Sequence, residues 1–411
     1  MPWYLYLAFK QLFPSTKRVS FFSLLSILGV MLGVMVLIVV QSVMNGFNEE
    51  IRSKIIDTHG HIRIVAPDIL YDTDAETIET LLRNQPEVIG YAPYAEGLVM
   101  LQYMNRPAFP FIKGIEVAQE EAVTPLSRFL IDGSMADLEG DSIWVSAHLA
   151  RSLGLVTGST VELYTPLLME RAKEEELLLP REVTVVGIFE TGWNQVDTNT
   201  IIVPLTLMQD LYGLDEGIHG FSVRLRSDED SLMVAHRLSV LLKGSARALS
   251  WEEMDRDLLF VLRLEKTMLF FIVLFIIIVA SFSITSSLMT SVVRKTREIG
   301  LLSALGAGPV SIASVFCLQG LIIGAIGTAI GTASSLIILH FRSPIIHWFS
   351  KVTHSQAALL RYYPLAEIPA YYTWRDLLLI ITFTILITTF AAILPAWRAA
   401  KLQPATCLRS E

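Results

Sequence analysis

Cysteine is almost absent: Cys317 and Cys407 are the two in 411 residues. Two cysteines cannot build a disulfide framework. One falls in an apolar run and the other near the last residue, so they are not read as a bridge. Catalytic signatures are missing too. No GxxxxGK[ST] phosphate loop occurs, and the LKGS at 242–245 lacks the upstream glycine. Neither HExxH, GxSxG nor a Ser-His-Asp order is present. The net charge of −8 argues against a nucleic-acid partner, which reads a basic surface. Catalysis by this chain alone is the least favoured reading, and energy for any work is expected from another chain.

Charge is also absent from four long stretches: Phe21 to Val40, Thr267 to Val293, Ile299 to Leu339 and Leu377 to Trp397. A hydrocarbon core of roughly 30 Å takes about 20 apolar residues. One charge at mid-span costs roughly 2.5–3.5 kcal/mol on insertion scales. Four transmembrane helices follow, the third stretch being long enough for a short helix as well. The missing intramembrane charges also weaken a proton- or ion-coupled transport reading. The first stretch is too long for a signal peptide and no small-x-small site follows it, so it is read as an uncleaved anchor.

Lys10, Lys17 and Arg18 precede the first span; Arg294, Lys295 and Arg297 separate the second and third; Arg398, Lys401 and Arg409 follow the fourth. Four spans put these groups on one side, the cytoplasmic one by the positive-inside rule. Both termini are then cytoplasmic, although the opposite loop also carries Arg342, Lys351 and Arg361. The fold class expected is an α-helical membrane protein with a large extracytoplasmic α+β domain. Its parts are an interfacial helix in 1–20, spans at 21–47, 267–293, 310–340 and 376–397, the external domain at 48–266, a short cytoplasmic helix at 294–309, an external loop at 341–375 and a tail at 398–411.

Within the domain, HIRIVA at 61–66, SIWVS, STVELYT, EVTVVGIFE, NTIIVPL and GFSVRLR read as strands. DAETIETLLRNQ, AHLARSLGL, TLMQDLYG and DSLMVAHRLSVLLKG read as helices. A last helix from about Trp251 is expected to run straight into the second span. PLLMERAKEEELLLP at 166–180 interrupts two strands between prolines, as either a protrusion that meets a partner or a solvated loop. His59 and His61 offer two metal ligands where zinc takes three or four, so His61 is read as a strand start. Gly320, Gly324, Gly327 and Gly331 fall on one face of the third span, where small residues allow close helix packing. Gly29 and Gly33 repeat this in the first span, which packs within the chain or lines a seam with another protomer. MPWYLYLAFKQLF suits an interfacial helix.

RKTREIGLLSALGA at 294–307 has a charged start and an oily body. Ile299, Leu302 and Leu305 are expected to share a face, Glu298 to complement the helix dipole, and Gly306 to Pro309 to break the helix before the next one. The apolar face suits a partner protein or plain adhesion to the membrane.

REIGLLSALGA, the large domain after the first of four spans, and the ending LPAWRAAKLQPATCLR resemble the permease family that includes MacB and FtsX. VSFFSLLSILGVMLGVMVLIVVQSVMNGFNEEIRSKI narrows this to a similarity with the lipoprotein-releasing permeases LolC and LolE. The resemblance implies a MacB-like (type VII ABC) architecture. It implies two permease protomers, identical or paralogous, a LolD-like ATPase dimer that binds ATP and Mg, a LolA-like periplasmic carrier, and acylated lipoproteins as substrates drawn from the membrane lipids of a bacterial inner membrane. No cofactor is implied in this chain. Arg297, Glu298, Ile299, Gly300, Leu301, Leu302, Leu305, Gly306 and Ala307 would form the ATPase-coupling helix. Gly29, Gly33, Val36, Val40 and Met44 would line the lipid or protomer seam. Pro166, Leu167, Leu168, Met169, Leu177, Leu178 and Pro180 would mark the carrier-binding protrusion. Efflux or transmembrane signalling in the wider family, and a peptide sensor without transport, remain the alternatives.

Overall fold

The uncharged stretches form four helices, Phe21–His59, Arg256–Arg294, Pro309–His340 and Trp374–Ala400, here called the first to fourth spans. Each is long and apolar enough to cross a membrane. The computed structural model describes residues 3–12, 21–165, 180–227, 230–352 and 369–402. The chain divides into a helical unit, Met1–Glu49 with Val261–Glu411, and a sheet unit, Glu50–Phe260.

In the helical unit the third span is the centre of packing. Gly320 and Gly324 lie against Ala392 and Thr388 of the fourth span, so close that a β-carbon at either glycine would overlap them. One turn further on, a β-carbon at Gly327 would sit 2.8 Å from Val30 Cβ, and one at Gly331 would sit 2.7 Å from the Met31 carbonyl, both in the first span. The glycine stripe is therefore continuous, but its neighbour changes along its length. Buried Ile27, Val30, Val34, Ile38, Ile284 and Ile323 form the core of this unit. The N-terminal helix Trp3–Leu12 packs against the third span and buries Ala8 and Leu12, while Tyr6 and Phe9 stay exposed. A helix the composition did not suggest, Arg342–Val352, occupies the start of the expected 341–375 loop. The fourth span begins with Thr373 as its cap, whose side chain accepts from the Asp376 N–H.

The sheet unit begins inside the first span's helix, which runs on past 47 to His59. Its last residues belong to this unit: Ile51, Ile55 and Ile56 are buried, and Arg224 donates to Asp57 at 3.0 Å and to the Val123 carbonyl at 3.3 Å. Gly60, at φ +81, ends the helix in the left-handed conformation and His61 enters the sheet. Twelve strands follow among the described residues: β1 (Ile62–Leu70), β2 (Val88–Leu98), β3 (Met100–Tyr103), β4 (Arg106–Ala108), β5 (Phe111–Ile115), β6 (Leu130–Gly133), β7 (Ser142–Ser146), β8 (Thr160–Tyr164), β9 (Arg181–Phe189), β10 (Thr200–Pro204), β11 (Ile218–Leu225) and β12 (Arg247–Ser250).

They form one mixed sheet in the order β12-β1-β11-β2-β5-β10-β7-β9-β8-β3-β4, with β6 on β9. Side chains alternate between its faces. Ile143 and Val145 of β7 join the main core under the helices Asp72–Arg83, Ala147–Leu153, Leu205–Tyr212 and Ser231–Leu241. Trp144, between them, packs on the other face with Ile115, Leu126, Phe189 and Ile202. β12 leads into a short helix, Trp251–Met254, held by a capping box between Ser250 and Glu253. The expected straight run into the second span is interrupted here. Asp255 leaves helical geometry, and the long helix begins at Arg256.

Candidate functional site

Three surfaces deserve a chemical reading: the short helix between the second and third spans, the open face of the second span, and a cleft in the sheet unit.

The short helix spans Thr296–Ala304, with Glu298 in its first turn and in contact with Lys295 at 3.8 Å. It stops where Gly306 turns left-handed at φ +96, and the Gly306 and Ala307 N–H groups donate back to the Ser303 and Leu302 carbonyls. Gly308 then caps the third span, with Pro309 in its first turn. Ile299 and Gly300 are buried, Ile299 in a cluster with Val292, Ile312, Phe316, Ala396 and Ala399. The exposed residues are Arg297, Glu298, Leu301, Ala304 and Leu305, spaced as one helical face. Leu301 is 55% exposed and Leu305 77%. The expected face of Ile299, Leu302 and Leu305 is thus corrected. Ile299 anchors the helix, Leu302 is half-buried, and Leu305 stands with Leu301 on the free side. Two bare leucines beside a cation and an anion make a small amphipathic surface suited to a protein groove.

The seam residues also take different surroundings. A β-carbon on Gly29 would meet Ala280 at 4.0 Å, and one on Gly33 would meet Ile276 and Ile277 at 3.9 Å, so both glycines face this chain's own second span. Val36, Val40 and Met44 are half-buried. The first and fourth spans expose apolar residues, among them Leu28, Leu32, Phe383 and Phe390, and an open apolar face also lies on the second span, where Met268, Phe271, Phe275, Val279 and Phe282 are exposed along one stripe. Their spacing of three and four was readable in the sequence, but the all-round apolarity of a span hides which face is free.

In the sheet unit, β1 and β11 lose register between Val65 and Leu70. The displaced backbone walls an open cleft of about 620 Å³, lined by Val65, Pro67, Asp68, Tyr71, Tyr94, Glu96 and His219 among others. Arg63 binds Glu96 at 2.7 Å and lies over the Tyr94 ring at 4.0 Å. The Glu96 N–H donates to His219 Nδ1 at 3.0 Å. Burial pushes the Tyr94 phenol above its ordinary value, while neighbouring Arg63 pulls the other way. The Arg63 and Glu96 charges are engaged with each other.

Of the expected protrusion, Pro166, Leu167, Leu168, Met169, Leu177 and Leu178 lie outside the described residues. Pro180 is half-buried and enters β9. β8 and β9 pair antiparallel with Leu163 opposite Arg181, so the end of β8 and the start of β9 lie side by side.

Residues 23–240 match the MacB-like periplasmic core domain, and residues 270–404 the FtsX-like permease C-terminal region. The chain is 31% identical over 398 residues to the lipoprotein-releasing system transmembrane protein LolC of Xylella fastidiosa, covering 96% of this chain and 95% of that one. It is 26% identical over 401 residues to LolE of Haemophilus influenzae, covering 94% and 93%. The solved periplasmic region of MacB from Actinobacillus actinomycetemcomitans aligns at 16% identity with a TM-score of 0.36, over 51% of this chain and 96% of that one.

Proposed function

The chain belongs to the family of the lipoprotein-releasing transmembrane proteins LolC and LolE, and from that premise we propose that it is the permease subunit of an ATP-driven transporter that lifts acylated lipoproteins out of the bacterial inner membrane. The observation that carries this reading is the end-to-end similarity to LolC, which takes in the helical unit and the sheet unit in one order. Burying an acyl chain is worth about 0.8 kcal/mol per CH₂, so a protein holding several chains does not leave the bilayer unaided.

Work has to enter from a partner. A LolD-like ATPase dimer would bind the ATP and Mg, with no cofactor in this chain, and would grip the Leu301–Leu305 face from the cytoplasm. Its closure would pull on a helix wedged between the second and third spans. A second permease protomer would complete the membrane path. The Phe-rich face of the second span favours itself over Gly29 and Gly33 as the surface offered to acyl chains or to that protomer. The sheet domain would stand in the periplasm and pass the lipoprotein to a LolA-like carrier, with 166–180 as the proposed contact. Both termini would be cytoplasmic.

The test is depletion of this protein in its host, with lipoprotein acyl chains labelled and inner and outer membranes separated. Lipoproteins held in the inner membrane before general envelope damage would support release. Normal sorting, in a strain without a second such permease, would overturn it.

A further inference from the structure

Within the helical unit, three spans are joined at one end by a single amide. Lys266 of the second span donates through Nζ to Asn45 Oδ1 of the first at 3.0 Å. Asn45 Nδ2 donates to Asp376 Oδ2 of the fourth at 2.7 Å. The amide thus turns its acceptor to the ammonium and its donors to the carboxylate, the one orientation in which both neighbours are satisfied. The same place is fitted closely by backbone. The Tyr371 N–H donates to the Ser42 carbonyl at 2.8 Å. A β-carbon on Gly46 would lie 2.5 Å from the Ala370 nitrogen, so the chain entering the fourth span is pressed against the first.

The second span is also held further along, where Thr285 Oγ1 donates to the Ala391 carbonyl of the fourth span at 2.9 Å and Ser26 Oγ of the first span donates to the Ser283 carbonyl at 3.5 Å. Of its most apolar stretch 17% is buried within the chain, against 22% for the fourth span, 39% for the first and 44% for the third. Its glycine-facing contact with the first span is ordinary van der Waals packing near 4 Å. Lipid tails are as apolar as side chains, so the hydrophobic effect gives no preference for one seat of a helix over another, and close packing and hydrogen bonds set it. Directional polar bonds in a low-dielectric setting do give that preference.

We propose that Asn45, Lys266 and Asp376 form a clasp that positions the second span against the first and fourth, and that its opening is a step of transport. The three are positioning residues and touch no substrate. This rests on the permease reading for its functional half, whereas the structural half can be measured without it.

The experiment uses the full chain in lipid nanodiscs, with Cys317 and Cys407 replaced by serine and spin labels at Met268 and Leu378, exposed sites on the second and fourth spans. Asn45→Leu removes both bonds and is expected to raise the loosened fraction of the distance distribution roughly eightfold, the effect of losing two interhelical hydrogen bonds of average strength. Lys266→Glu alone and Asp376→Lys alone should broaden it as well. The double reversal should narrow it again, because Asn45 can turn its amide over and serve the exchanged charges. A merely space-filling role would not produce that rescue. Lipoprotein release, measured on the same Asn45, Lys266 and Asp376 variants without spin labels, should follow the same order.

Unchanged distances in Asn45→Leu, or a double reversal as broad as the singles, would overturn the clasp. Restored distances with no lipoprotein release even by the unsubstituted protein would instead count against the permease reading and leave the clasp standing.

Discussion

Replacing Leu301 and Leu305 together with alanine should weaken ATPase binding without unfolding the chain. At 55% and 77% exposure the two leucines offer somewhat more than one whole side chain to a partner. Full burial of a leucine is worth about 1.5–3 kcal/mol. Alanine keeps the β-carbon, so the loss should be about 2–3 kcal/mol, which at 1.4 kcal/mol per decade is roughly 30- to 150-fold in Kd. The assay is surface-immobilised full-length protein in detergent against purified ATPase, with a thermal melt of each variant. Ile299→Ala is the opposite case. It empties a position buried among Phe316, Ala396 and Ala399, so it should cost about 2–5 kcal/mol of stability and lower the melting temperature. If the double alanine variant bound within threefold of the parent while Ile299→Ala abolished binding at an unchanged melting temperature, the face assigned from exposure would be wrong.

Two further outcomes concern packing. Gly324→Ala should destabilise the helical unit by about 1–3 kcal/mol through overpacking, because the new methyl would overlap Thr388; a detergent melt should show Thr388→Ala recovering part of the loss. In the sheet unit, Lys113 pairs with the fully buried Glu120 at 2.7 Å, and Thr124 Oγ1 donates to the same carboxylate oxygen at 2.8 Å. Lys113→Met alone should cost about 3–5 kcal/mol by stranding a buried charge, whereas Lys113→Met with Glu120→Leu should come close to the parent. Equal melting of the single and double variants would refute that account.

The four spans were legible because missing charge is a property of the chain taken one residue at a time. The strands were legible for a similar reason: in β7, Ile143 and Val145 serve one core and Trp144 the other, and alternation displays that directly. Faces were harder. In a helix as apolar as the second span every spacing looks amphipathic to some degree, so the exposed stripe through Phe271 and Phe275 emerges only when neighbours are in place. The same holds for the short helix, where the expected Ile299–Leu302–Leu305 face and the observed one share Leu305. The break at Asp255 is not legible either, since Ser250 and Glu253 cap a first short helix in a stretch whose composition reads as uninterrupted.

Sequence alone therefore determined what is additive along the chain: four membrane-length helices, an alternating α+β domain, a charged-then-apolar linker helix and a family resemblance carried by local motifs. Tertiary structure decided what depends on partners. It assigned Gly320 and Gly324 to the fourth span and Gly327 and Gly331 to the first, turned Ile299 inward, and brought Asn45 to Lys266 and Asp376 across 221 and 331 residues. A hydrogen bond or a close backbone approach is a relation between two places. No property of either residue by itself states where the other is.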